Sequence, residues 1–334
     1  MVLIFEGRKY RCNYNTVNAC VDSFCSMPSV VSSARAFRSH ISRVTSGRDL
    51  LYVHQGEMAT IPCVIGSDDA CIPRLVASDD ATSCVIVILR SQGLCLIAHL
   101  DNSHRAKAFL TRTTQVLSPD DAHLDAHLVG GFYDNKELAH STIVEVMGEF
   151  LCNDAKEYSV KTFCVGELNT ILGVCRHGPN TDRVIPMPAV TGVVFDWQSN
   201  SISPAIVCWE ARGPVPVLRL SRLHSSNAAR MLSNIFDANS HKLIIEPFRY
   251  SQWICNDPLK LSMDEMRLLS TTPDQEPATF FEGLRATVAL MFHHPDPMRS
   301  WFSDGRLSFR CSDSIPYWRP LDEASEFALI HALT

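Results

Sequence analysis

Two residues of this sequence could together make a nucleophile: Cys84 and, a short way downstream, His99. A thiolate attacks a carbonyl carbon at neutral pH, and a neighbouring imidazole can take and return the proton. Cys84 opens the apolar run Val85-Ile86-Val87-Ile88-Leu89, and His99 follows a second run, Leu94 to Ala98. The polar stretch Arg90-Ser91-Gln92-Gly93 separates them, so the two runs read as a β-hairpin. With a loop centred between Ser91 and Gln92, Arg90 faces Gly93, Ile88 faces Cys95 and Cys84 faces His99. Facing Cβ atoms lie about 4.5–5.5 Å apart. A loop Ser91-Gln92-Gly93 with a glycine bulge shifts the pairing by one and weakens that placement. An adjacent imidazole is expected to lower the thiol pKa from about 8.5. Singly, either residue means little, because the chain has 13 cysteines and most free cysteines are small buried hydrophobes.

The same segment has a competitor. Ser67-Asp68-Asp69-Ala70-Cys71 echoes Ser78-Asp79-Asp80-Ala81, which reaches its cysteine only at Cys84. Pro73 follows Cys71 almost at once, so Cys71 does not lead into a strand. Metal chemistry has little support. No Cys-x-x-Cys pair occurs, and although His123 and His127 are spaced i,i+4, Ala126 to Val129 reads as a strand, which puts the pair on one face rather than around a metal.

The elements that must hold the pair can be read coarsely. Val2 to Phe5, Leu50 to His54, Leu128 to Phe132, Phe163 to Leu168, Val190 to Phe195 and Ala205 to Trp209 read as strands. Residues 18 to 45 carry a mixed pattern compatible with helix, and Gly56 to Ala81 reads as irregular. Leu138 to Leu151 has helical spacing. In Phe280 to Phe292 one stripe joins Phe280, Phe281, Leu284, Val288, Met291 and Phe292 ahead of Pro295. Both hairpin strands are apolar on both faces and should be buried on both sides. Strands and helices do not alternate strictly, so the expected class is α+β. The 334 residues suit two domains or one large one. No clean linker appears, and the chain reads as one unit, 1–334, with the reactive hairpin within 78–100.

The net charge of −6 and the lack of a basic run argue against a nucleic-acid binder. No apolar stretch is long enough to span a membrane. Met1 to Cys12 lacks the apolar run of an export signal. With an odd number of cysteines, the expectation is reduced thiols in the cytoplasm or nucleus.

Ser78-Asp79-Asp80-Ala81-Thr82-Ser83-Cys84 and the strand ending Leu89-Arg90 resemble the signature of the protein N-terminal asparagine amidohydrolases. Ala77 stands where that family has Gly, and Ser83 where it has Thr. The likeness continues through Leu50-Leu51-Tyr52-Val53, His127 to Phe132, Cys164 to Asn169, Arg212-Gly213-Pro214, and from Leu269-Ser270-Thr271 to His294-Pro295. The loop from Gly56 to Val76 is unlike the family. More distantly the pattern is similar to chemoreceptor glutamine deamidases and deamidating necrotizing toxins. That resemblance implies a β-sandwich-like mixed sheet core with flanking helices. The chemoreceptor deamidases carry a hydroxyl residue at the sixth position before the cysteine. Ser78 holds that position for Cys84, whereas Ile65 holds it for Cys71.

The resemblance implies a chemistry: Cys84 attacks the side-chain carboxamide of an N-terminal Asn, His99 shuttles the proton, and Ser78 orients His99. The backbone N–H of Cys84 is the candidate oxyanion donor, and water resolves the thioester. No metal or organic cofactor is implied. A carboxylate must meet the α-ammonium, and Glu167, Asp79 and Asp80 are the candidates. Expected partners are proteins with a free N-terminal Asn, upstream of arginyl transfer in the N-degron route, with the enzyme a monomer. The alternatives are a thiol amidase for N-terminal Gln or internal side-chain amides, and a non-catalytic binder of Asn N-termini.

Overall fold

Apolar runs with no polar face need cover on both sides, and the chain provides it with helices on one side and a second sheet on the other. The computed structural model describes the chain except residues 1, 11–12, 64–71, 119–120, 122, 135–137, 153–155, 176–182, 252–260, 313–316 and 332–334. The competing Cys71 motif therefore lies outside the described residues.

In chain order the strands are β1 (Val2–Phe5), β2 (Arg8–Tyr10), β3 (Ser42–Val44), β4 (Leu50–Tyr52), β5 (Glu57–Pro62), β6 (Leu75–Ser78), β7 (Val85–Arg90) and β8 (Leu94–Leu100). They continue with β9 (His123–Gly130), β10 (Glu157–Val165), β11 (Thr170–Val174), β12 (Val184–Pro188), β13 (Val193–Asp196), β14 (Ser201–Val207) and β15 (Ser233–Asn234). The last four are β16 (Phe236–Asp237), β17 (Lys242–Ile245), β18 (Leu307–Cys311) and β19 (Trp318–Pro320). The helices are α1 (Val17–Ser26), α2 (Pro28–Phe37), α3 (Ser103–Val116), α4 (Leu138–Cys152), α5 (Pro216–Ser221), α6 (Met263–Arg267), α7 (Ala278–His293), α8 (Pro297–Ser300) and α9 (Glu323–His331).

An eight-stranded mixed sheet has the order β15-β5-β8-β7-β9-β10-β1-β2, and a five-stranded one has the order β3-β14-β13-β6-β4. The hairpin β7–β8 lies in the middle of the large sheet, and nearly all its residues are buried, as its double-sided apolarity demands. One face of that sheet meets the small sheet. Ser78 of β6 bonds His99 of β8, and the His127 ring of β9 lies 5.3 Å from Phe195 of β13. Helices cover the other face. Ile143 of α4 packs beneath Gly131, and Phe24 of α1 lies 5.5 Å from Phe163 of β10. The architecture is mixed α+β, and layers of this kind follow from sheets that must bury two faces.

Several expectations shift. The irregular segment 56–81 contains β5 and β6, which belong to different sheets. Residues 18–45 form two helices broken at Met27, where Pro28 starts α2 at its first turn, and then the strand β3. The strand read at Phe163–Leu168 begins at Glu157 and stops at Val165. A 3-10 turn, Gly166–Asn169, follows it. Helix α3 went unread, although Asn102 caps it and Ala106, Phe109, Leu110 and Thr113 form its buried stripe. In α7, Phe292 is exposed rather than part of the stripe.

Candidate active site

The hairpin register differs from the expected one by two residues. Arg90 pairs with Cys95, Ile88 with Ile97 and Ile86 with His99. The loop is the two-residue turn Gln92-Gly93, closed by Ser91 N–H donating to the Leu94 carbonyl at 2.9 Å. A shift of two preserves the face of every side chain. Cys84 sits in the bend that directly precedes β7, so the ladder places Ile86, not Cys84, opposite His99.

Ser78 ends β6, and its hydroxyl oxygen lies 2.9 Å from His99 Nδ1. Both residues are buried, at 0 % and 1 % exposure. His99 Nε2 is buried and finds no hydrogen-bond partner among the described residues. One ring nitrogen is therefore engaged by Ser78 and the other is not. Burial, with Arg105 and Arg212 nearby, pulls the His99 pKa down to about 3, so the imidazole rests neutral. The thiol does not follow the sequence expectation. Burial, then the Asp101 and Glu276 carboxylates, push Cys84 well above its ordinary value despite Arg105 and Ser83. Burial thus favours a neutral thiol and a neutral imidazole at these two residues. Gly130 (φ +114°) makes the close packing possible, since a Cβ there would lie 2.5 Å from the Cys84 carbonyl oxygen.

Asp79 and Asp80 follow Ser78 and take different tasks. Asp79 accepts from the Tyr52 hydroxyl and from Val207 N–H at 2.7 Å, and pairs with Arg212 at 3.0 Å. Burial and Asp80 raise its pKa to about 7 against the pull of Arg212. Asp80 (φ +60°) pairs with Arg212 at 2.6 Å and stays partly open to solvent. The Arg212 guanidinium lies over the Tyr52 and Trp209 rings, 5.2 and 5.3 Å from their centroids. These groups line a cavity of about 240 Å³ that includes Tyr52, His54, Asp79, Asp80, His99 and Arg212. Cys84, 6 % exposed, is not part of that lining. Glu167 is exposed in its 3-10 turn and borders a different cavity, beside Asn18, Val21, Cys25, Tyr133 and His140. The fold thus brings Ser78, Asp79, Asp80 and His99 together and leaves Glu167 apart.

Sequence reasoning missed three members. Arg212 lies in a quoted family-like segment without an assigned task. His54 follows the strand-like Tyr52-Val53 and lines the cavity, and its buried Nε2 has no partner among the described residues. Burial and the nearby arginines hold it neutral, well below its ordinary pKa. Glu276 is buried beneath the Cys84 loop. Its Oε1 accepts from Thr82 at 3.0 Å and Ser270 at 2.8 Å, and its Oε2 has no partner among the described residues. Burial raises its pKa to about 7. No local pattern marks it; only tertiary packing joins residue 276 to residue 82. His127, weighed for a metal, has its Nδ1 3.0 Å from the Thr162 hydroxyl, while His123 is exposed.

Comparison with known proteins defines the class as an amidohydrolase, an enzyme that cleaves amide C–N bonds with water. The family model described as protein N-terminal asparagine amidohydrolase matches residues 40–319, and the chain belongs to that family. A pig (Sus scrofa) protein of that name is 27 % identical over 343 residues, covering 98 % of this chain and all of the relative. A human one is 28 % identical over 326 residues, covering 92 % and 94 %. An Arabidopsis thaliana relative of the same name is 22 % identical over 271 residues, covering 74 % of each chain.

Proposed function

We propose that this enzyme hydrolyses the side-chain amide of an N-terminal asparagine in proteins, giving aspartate and ammonia through a thioester on Cys84. The Ser78–His99 contact at 2.9 Å, with His99 Nε2 unpartnered, is the observation that carries the reading. With Nδ1–H donated to the Ser78 oxygen, Nε2 bears the lone pair that a general base needs. Because the resting thiol is protonated, proton transfer to Nε2 accompanies attack on the carboxamide carbon. The C–S bond forms, the C–N bond breaks, and His99 delivers the proton to the departing ammonia. The Cys84 backbone N–H is the candidate donor to the oxyanion, a contribution of roughly 3–4 kcal/mol in comparable sites. Water then attacks the thioester and frees the thiol. An N-terminal aspartate is a substrate for arginyl transfer, which makes this step an entry to N-degron degradation. A thiol enzyme of this kind suits a reducing compartment, the cytosol or nucleus.

The test compares ammonia release from peptides beginning with Asn, acetyl-Asn and Gln. Turnover of the Asn peptide is expected, with loss of at least about a hundredfold for acetyl-Asn, whose terminus cannot make a charge-assisted bond. Gln should be poor because its longer arm misplaces the carboxamide by more than about 1 Å. Cys84→Ser should abolish release. Equal rates on Asn and acetyl-Asn would remove the N-terminal assignment, and full activity in folded Cys84→Ser would remove the thioester.

A further inference from the structure

The large sheet carries another cavity, on the face turned away from His99. Side chains alternate along a strand. Thr60 of β5 therefore stands on the face opposite Glu57, and Leu94 of β8 on the face opposite His99. Helix α3 covers them there with Arg112 and Val116, one turn apart. Asn234, Phe236 and Ile244 close the edge from β15, β16 and β17. The space they line measures about 440 Å³, inside the range of about 300–1,000 Å³ that small-molecule sites occupy.

The floor of this cavity is polar. Thr60 Oγ1 and Asn234 Oδ1 are both buried, and neither has a hydrogen-bond partner among the described residues. Thr60 is 3 % exposed. A buried polar atom without a partner destabilises the fold, and valine would give the same shape without that penalty. An amide oxygen only accepts, so its complement is a donor, and a hydroxyl can serve either way. The walls above are apolar, with Val116, Phe236 and Ile244. The mouth is charged. Asp237 is committed to its own turn, accepting from Asn239 N–H at 3.1 Å and from the Ser240 hydroxyl at 2.5 Å. Glu246 and Arg306 lie 3.8 Å apart and offset each other. Arg112 is exposed and has no ion-pair partner among the described residues. The uncompensated charge at the mouth is therefore positive.

We propose that this cavity binds a small organic acid. Its carboxylate meets Arg112, its apolar body packs on Val116, Phe236 and Ile244, and a hydroxyl or N–H at its far end reaches Asn234 and Thr60. The sheet separates this site from the one that holds His99, so the two can be occupied at once.

Calorimetric titration of the full chain tests it with para-hydroxyphenylpropionate, which has the carboxylate, the apolar body and the donor. Phenylpropionate lacks the donor, and tyramine lacks the carboxylate. The first should bind with a Kd at or below about 1 mM. Phenylpropionate should bind at least about fivefold more weakly, and tyramine not at all. Thr60→Val and Arg112→Gln should each weaken the first acid by at least about fivefold. Thr60→Val should also keep or raise the melting temperature, because it removes an unpaired hydroxyl. No binding of para-hydroxyphenylpropionate overturns the proposal, and so does equal binding of phenylpropionate. Affinity that both variants keep overturns it by placing the acid elsewhere. A clear fall in melting temperature in Thr60→Val overturns it by making the hydroxyl a structural bond. If Thr60→Val fails to fold, the exposed Arg112→Gln and the two control compounds still decide.

Discussion

At the scale of single residues, the two acids after Ser78 divide the work that the sequence could only offer to either. Asp79 has its oxygens committed to Tyr52, Val207 and Arg212, whereas Asp80 has one partner and some exposure. Under the proposed function Asp80, rather than Asp79, is the carboxylate that would receive the α-ammonium. Asn tolerates the left-handed backbone that Asp80 adopts, so Asp80→Asn removes the charge without breaking the turn. It should lower kcat/KM on free Asn peptides by at least about tenfold, given charge-assisted bonds of roughly 1.5–3 kcal/mol. Glu167→Gln should stay within about twofold, and kinetics on one peptide decides both. His99 gives a pH test. Its folded pKa of about 3 lies below the unfolded value of about 6.5, so its share of stability is present above pH 6.5 and is lost as pH falls toward 3. Between pH 7 and 5 that loss is about 2 kcal/mol. Urea unfolding of folded His99→Gln should show a drop over that interval smaller by about that amount. The residues Ser78, Cys84 and His99 were legible because they share one short segment. His54, Arg212 and Glu276 were not, because nothing local distinguishes a buried partner from a surface one.

At the scale of elements, the hairpin was readable from its two apolar runs, but its register was not. Register depends on which residues turn. Arg90 looked like the start of the turn, yet it continues the ladder opposite Cys95, leaving Gln92-Gly93 to reverse the chain. A slip of two leaves every residue of the ladder on its own face, so His99 stays on the face that meets the small sheet. The neighbouring strand supplies the prediction. β9 ends at Gly130, paired with Val85, and its backbone presses on the Cys84 carbonyl. Gly130→Ala adds a Cβ at 2.5 Å from that oxygen in a conformation that costs of order 1–3 kcal/mol outside glycine. Stability should fall by at least about 2 kcal/mol in urea titration. Turnover should fall further than the unfolded fraction explains, because the displaced atom belongs to Cys84, the proposed nucleophile. Helix α3 shows the opposite failure: its cap and stripe were present in the sequence, but Arg, Lys and Thr dilute the apolar signal.

At the scale of the molecule, the polar cavity wall is anchored to a buried charge cluster. Glu57, 1 % exposed, receives Arg219 at 3.1 and 2.6 Å, Arg222 at 3.2 Å and the His54 backbone N–H at 2.9 Å. Burial opposes its charge, yet the two arginines hold its pKa below the usual range. The cluster ties β5 of the large sheet to α5, and Arg219 also donates to the carbonyls of Tyr52 and Arg212. Glu57→Gln strands two buried guanidinium groups and should cost about 3–5 kcal/mol. Calorimetry or urea melting would register it, and a loss under about 1 kcal/mol would show that solvent reaches the cluster. The α+β class was legible from the order of runs. The division into two sheets was not, because β4 and β5 are neighbours in sequence but lie in different sheets.

The junction between those sheets also sets a timetable. A chain emerging from the ribosome has its thiol, imidazole and hydroxyl in hand once residue 99 is out. The strand that flanks Ser78 in the small sheet runs from Val193 to Asp196, and the groups that grip Asp79 come from Val207 and Arg212. Until those residues are made, β6 has only β4 beside it and no fixed seat against His99. A nascent chain therefore holds these three groups, for more than a hundred further residues, without the contacts that fix Ser78 and Asp79 in the small sheet. The second sheet closes only once residues 193–212 are available, and a chain terminated before Arg212 has Ser78, Cys84 and His99 but lacks the arginine that pairs with Asp79 and Asp80.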